Sequence, residues 1–70
     1  MTWIDTPESS TISRFGYNPD NAVLAIEFKN GTVYEYFDVS PGVFEQFQAA
    51  SSKGQFLAQN IKGHYRYARV

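Results

Sequence analysis

The 70-residue chain contains no cysteine, one histidine, one tryptophan and one methionine. Without cysteine there are no disulfides, no thiolate zinc clusters and no thiol nucleophile. A single histidine leaves nothing to complete a histidine-based metal site, so His64 is not read as a ligand. No run of about 18 apolar residues is present, and "MTWIDTPESS" lacks the basic-then-apolar pattern of a secretory leader. Neither a membrane span nor export is expected, and the chain suits the cytoplasm. No GxxxxGK[ST] loop and no nucleophile elbow occurs. Ser52, His64 and a carboxylate could be recruited on paper for nucleophilic catalysis, yet nothing orders them. The reading is therefore non-catalytic, with no cofactor, no metal and no small-molecule substrate.

What is abundant is aromatic: six Phe, five Tyr and one Trp. A chain this short buries only about 60% of its unfolded surface. Aromatic side chains, at roughly 150–250 Å² buried each, enlarge the core where disulfides would otherwise be needed. Charge is unevenly spread. Residues 1–45 carry all seven acids and two bases, net −5; residues 46–70 carry four bases and no acid, net +4. Such asymmetry points to an anionic partner, although four bases also make an ordinary solvated surface.

Local patterns give an α+β fold. "SSTISRFGYNPDN" reads as a short strand closed by an Asn-Pro-Asp-Asn turn. "AVLAIEFKNGTVYEYFDV" reads as a hairpin. A two-residue Asn30-Gly31 loop would set Glu35 among Leu24, Ile26 and Phe28, which is costly for an unpaired carboxylate. A three-residue Lys29–Gly31 loop, with Gly31 left-handed, pairs Leu24 with Tyr36 and Ile26 with Tyr34. Leu24, Ile26, Phe28, Tyr34 and Tyr36 then share one face, and the other carries Val23, Ala25, Glu27, Val33, Glu35 and Phe37, a mixed set suited to partial exposure. The three-residue loop is the expected one, because a one-residue slip inverts every side chain. A helix follows Ser40-Pro41, with Val43, Phe44, Phe47 and Ala50 on one stripe. A second starts at the Ser52…Gln55 capping box, buries Phe56, Leu57 and Ile61, and ends near Gly63. The expected architecture is an antiparallel sheet of three strands, four if "HYRYARV" pairs, with two helices on one face. Residues 1–8 are read as a partly flexible N-terminal extension and 9–70 as one domain.

These residues resemble the KTSC domain, a bacterial module also found at the C-terminus of certain lysyl-tRNA synthetases. The features that match are Ser10, Gly16-Tyr17, Leu24, Ile26, Phe28, Gly31, Tyr34-Glu35-Tyr36, and Val39 before Ser40-Pro41. Ala50, Ser52 and Gly54 in "ASSKGQF", then Ile61 and Tyr65, complete the series over roughly residues 9–67. The resemblance implies a module of uncharacterised role with RNA binding suggested by its synthetase association.

Three places offer function, each beside a plainer explanation. Tyr34 and Tyr36 could stack bases on an open sheet. They are expected instead in the core, with Leu24, Ile26, Phe28, Phe44, Phe47, Phe56 and Ile61, since the helices need an apolar face. Ser52, Lys53 and Gly54 at a helix start could receive an anion, or be a simple cap with a solvated lysine. Lys62, His64, Arg66 and Arg69 interleave with tyrosines as phosphate-contacting bases do; the simpler picture has Tyr65 and Tyr67 inward, His64 and Arg66 outward. The working expectation is binding of RNA, tRNA or a single strand, or of another polyanion. The alternative is a protein-interaction module or homodimer using an edge strand and the Val33/Phe37 face.

Overall fold

A computed structural model describes residues 2–70. Its elements are β1 (Trp3–Asp5), β2 (Ile12–Asn18), β3 (Val23–Phe28), β4 (Val33–Tyr36), α1 (Pro41–Ala49), α2 (Lys53–Phe56), a π-helical turn (Leu57–Ile61) and β5 (Tyr67–Arg69). The strands form one sheet in sequence order, β1-β2-β3-β4-β5, and every neighbouring pair is antiparallel. Five strands replace the three or four expected. The extra ones are three residues long, too short for an alternating pattern to stand out from its surroundings. The first lies within residues 1–8, where Thr6 is also buried and donates its hydroxyl to the Ile12 carbonyl at 2.7 Å.

The central hairpin adopts the register that keeps Glu35 out of the apolar face. Leu24 faces Tyr36 and Ile26 faces Tyr34. Phe28 N–H donates to the Thr32 carbonyl at 2.8 Å, and Gly31, at φ +87°, closes the three-residue loop with its N–H on the Phe28 carbonyl. In β2, Phe15 faces Ile26 and Tyr17 faces Leu24, so one sheet face is a continuous apolar surface.

The helices cover that face. Ser40 Oγ accepts the Val43 N–H and Ser52 Oγ the Gln55 N–H, both at 3.3 Å, and Pro41 occupies the first helical position. Each cap satisfies a donor the helix leaves free. Phe47 is wholly buried and meets Phe15 edge-on at 4.9 Å; Phe44 stacks on Tyr17 at 4.3 Å. Ile12, Phe15, Leu24, Ile26, Tyr36, Val39, Phe47, Leu57 and Ile61 form the core. Phe28, Tyr34, Phe44 and Phe56, expected inside it, are only partly buried against it.

The opposite sheet face is uncovered by helices. There Arg14 Nε lies 2.9 Å from Glu27 Oε1 and its guanidinium 4.5 Å from the Trp3 ring centre. Val23 and Ala25, expected to be partly exposed, are buried. Ala25 sits on the middle strand, flanked by Gly16 and Glu35.

Candidate nucleic-acid interface

Two caps and a turn place the first part of the site. The Ser9 hydroxyl accepts the N–H groups of Thr11 (3.2 Å) and Ile12 (3.0 Å), folding the β1–β2 loop towards the start of α2. Between them lies a cavity of about 450 Å³ walled by Ser9, Ser10 and Thr11 on one side and Ser51, Ser52, Lys53 and Gly54 on the other. Gly54 has ordinary helical backbone there; a methyl at its Cα would stand 3.5 Å from Thr11 Oγ1, a normal contact.

Ser10 and Thr11 also wall a second cavity of about 400 Å³ with Phe28, Lys29, Tyr34 and Lys62. The Lys29 N–H donates to the Thr11 carbonyl at 2.8 Å, tying the hairpin loop to this wall. Lys62 arrives through the π-helical turn, whose wide hydrogen bond runs from the Lys62 N–H to the Leu57 carbonyl at 2.8 Å. An extra residue in a helical turn re-aims the chain that follows, and such turns gather at functional sites. The Lys62 ammonium stands 5.8 Å from the Phe28 ring centre.

Tyr34 and Lys62 belong in turn to a third cleft, about 280 Å³, with Tyr36, Gly63 and Tyr67. The three cavities thus share walls and make one trough, from the α2 start past the hairpin to β5. Glu8 is the one carboxylate among the described residues that line it. Burial pushes the Tyr36 phenol above the ordinary tyrosine value, with Tyr34 and Tyr67 adding to the effect, so it stays protonated at neutral pH.

The sheet divides the charges. Arg14 pairs with Glu27, and Arg66 with Asp38 at 3.2 Å; Arg66 also lies over Phe37, 5.7 Å from the ring centre. Both pairs, with Glu35 opposite Ala25, are on the uncovered face. Lys29, Lys53, Lys62 and Arg69 make no ion pair with any described residue. The three lysines line the trough, and Arg69 stands opposite Tyr34 in the β4–β5 ladder, on the trough side.

Of the residues singled out from sequence, Ser52, Lys53, Gly54, Lys62 and Arg69 are therefore on one side of the molecule. Arg66 is not: it precedes β5 and lies against Phe37 and Asp38 towards the other face. His64 is exposed in a turn, its N–H on the Ile61 carbonyl at 3.0 Å, and lines none of the three cavities. Tyr65 is half-buried against the core; Tyr67 shares the face of Tyr36, its partner in the β4–β5 ladder, but is 61% exposed on the edge strand, correcting its expected burial. Sequence reasoning misses Lys29, because a lysine beside Asn-Gly looks like any solvated turn residue. No group of three or more metal-ligating side chains occurs among the described residues, and no described helix is long and apolar enough to cross a membrane.

The family model of the KTSC domain matches residues 8–65. The chain belongs to the KTSC domain family. Among curated relatives, a lysine–tRNA ligase from Nostoc punctiforme is 44% identical over 64 residues, 91% of this chain. The KTSC chain spans only 11% of that ligase. An uncharacterized protein from Stutzerimonas stutzeri is 38% identical, with 90% of both chains covered. The crystal structure of a KTSC domain protein from Yersinia pestis superposes with a TM-score of 0.93 at 33% identity, covering 99% of this chain and 96% of that one. The KTSC domain is thus found both as most of a short protein and as a small part of some lysine–tRNA ligases.

Proposed function

We propose that this KTSC domain is a non-catalytic module that binds RNA or another polyanion along the trough between the α2 start and β5. The observation that carries the reading is the division of charge by the sheet. The four bases free of ion pairs with described residues, Lys29, Lys53, Lys62 and Arg69, lie on the trough side, while both paired arginines lie on the other. Unpaired cations are available to phosphates, and their release of counterions is what drives such binding. Phe28, Tyr34 and Tyr67 wall the same cavities as Lys29 and Lys62, the combination of aromatic and basic groups found in grooves that follow a single strand. The lysine–tRNA ligase relatives bear tRNA in their name, which adds weight to RNA among polyanions.

The rival reading, strand addition in a homodimer, draws less support. The sheet edges β1 and β5 offer three residues each, a short template for a ladder. An amide-shift titration with short single-stranded RNA and with tRNA, at two salt concentrations, tests the proposal. Shifts at low salt in residues 10–11, 29, 53–54 and 62, weakening with salt, are expected. Their absence at low salt would sink it.

A further inference from the structure

We infer that the cleft between Tyr34, Tyr36 and Tyr67 is a nucleobase subsite, taking one unpaired base whose phosphate is held by Lys62. This rests on the polyanion reading and sharpens it, from a charged trough to a strand with accessible bases.

Tyr67 is the most telling residue. It is 61% exposed on a terminal edge strand, and an aromatic ring left in water there adds little to the core. Its ring centre lies 5.6 Å from Tyr34 at an interplanar angle of 78° and 5.9 Å from Tyr36 at 41°. Neither neighbour is parallel to it, so no described ring occupies a stacking position on Tyr67. The cleft, about 280 Å³, falls just below the range of about 300–1,000 Å³ typical of sites for whole drug-sized ligands. One planar heterocycle suits it better than a larger molecule.

Charge then selects the occupant. Aromatic clefts commonly receive organic cations or flat π-systems. Lys62 forms part of this wall, and Arg69 stands opposite Tyr34, so a cationic guest would be repelled. A neutral apolar side chain would gain nothing from either base. A nucleotide satisfies both features, with its ring on Tyr67 and its phosphate near Lys62. The protonated Tyr36 phenol at the cleft is a donor for a base carbonyl or ring nitrogen. Bases within a duplex are already stacked and inaccessible, so the ligand is single-stranded. Continuity with the second cavity through Tyr34 and Lys62 lets the same strand run on towards Lys29 and Lys53.

The test compares two probes at low salt: a ribo-oligonucleotide of about eight nucleotides, within the usual span of such grooves, and an abasic sugar–phosphate strand of equal length. The base-bearing strand is expected to bind roughly five- to a hundred-fold tighter, the ratio that stacking of one base supplies. It should shift the ring resonances of Tyr34 and Tyr67 while leaving Trp3, on the other sheet face, unchanged. Tyr67→Ala should erase the ratio without altering abasic binding, and Tyr67→Phe should keep it. Equal binding of the two strands by the wild type, or a ratio that survives Tyr67→Ala, would overturn the subsite while leaving the polyanion reading intact. Failure of both probes to bind would remove the two together.

Discussion

Tyr34 and Tyr36 project from the same face of β4 with ring centres 6.5 Å apart, yet Tyr36 is 2% exposed and belongs to the core whereas Tyr34 is only half-buried and walls two cavities. The pair is one motif with two duties. Tyr36→Ala should cost about 3–5 kcal/mol, as truncation of a buried aromatic does. For Tyr34→Ala, whose ring already stands partly in solvent, roughly 1–2 kcal/mol is expected, together with a weaker preference for a base-bearing over an abasic strand. Urea unfolding of both variants measures the gap; equal losses would show that Tyr34 is as much a core residue as its neighbour.

Ion pairing separates bases that look alike in sequence. Lys62→Ala should flatten the dependence of log affinity on log salt by about 0.7, the share of one phosphate contact on a single strand. Arg66→Ala, which removes a side chain engaged with Asp38 on the far face, should leave the slope unchanged. Parallel titrations at several salt concentrations decide it. A larger change from Arg66 than from Lys62 would place the interface on the wrong side of the sheet.

Alkaline pH should loosen the fold. Burial raises the Tyr17 and Tyr36 phenols above the ordinary value of 10.0, so the native state holds these protons more tightly than the unfolded chain. Their contribution is complete below that value and is lost as pH rises past it. The melting temperature should therefore fall above pH 10.0, and less steeply in Tyr36→Phe, which has one phenol fewer to ionise. Thermal melts across the alkaline range provide the comparison.

Two glycine-to-alanine changes should have opposite signs. Gly31 needs its φ of +87°, although a methyl group on its Cα would meet nothing within 4 Å, so Gly31→Ala costs about 1–2 kcal/mol through the backbone alone. Gly54 is helical and has room, so Gly54→Ala should gain about 0.5–1 kcal/mol. The same urea experiment reads both, and a loss at Gly54 would mean that the α2 start needs its glycine for another reason.

The hairpin register is legible in the sequence because only one alignment keeps Glu35 out of the apolar face, and burial of a carboxylate is costly enough to choose between them. The caps at Ser40 and Ser52 are legible for a similar reason: a side-chain oxygen and a free N–H three residues on satisfy one another locally. Strands β1 and β5 are harder, since three residues carry almost no periodicity and acquire strand geometry only by pairing with β2 and β4. Ser52, Lys53 and Lys62 stand out as candidates, but Lys29 does not, and nothing along the chain separates Arg66 from the bases that line the trough.

The amino-acid sequence by itself determined the α+β class, the central register, both helix starts and the family, all of which depend on local chemistry or on the order of residues along the chain. The tertiary structure alone decided which charges act together. Alternation along a strand sends Arg66 and Arg69 to different faces without saying which face holds a partner. Only the packed sheet brings Asp38 to Arg66, leaves Arg69 beside Tyr34, and joins Lys53, Lys29 and Lys62 from three separate segments into one trough.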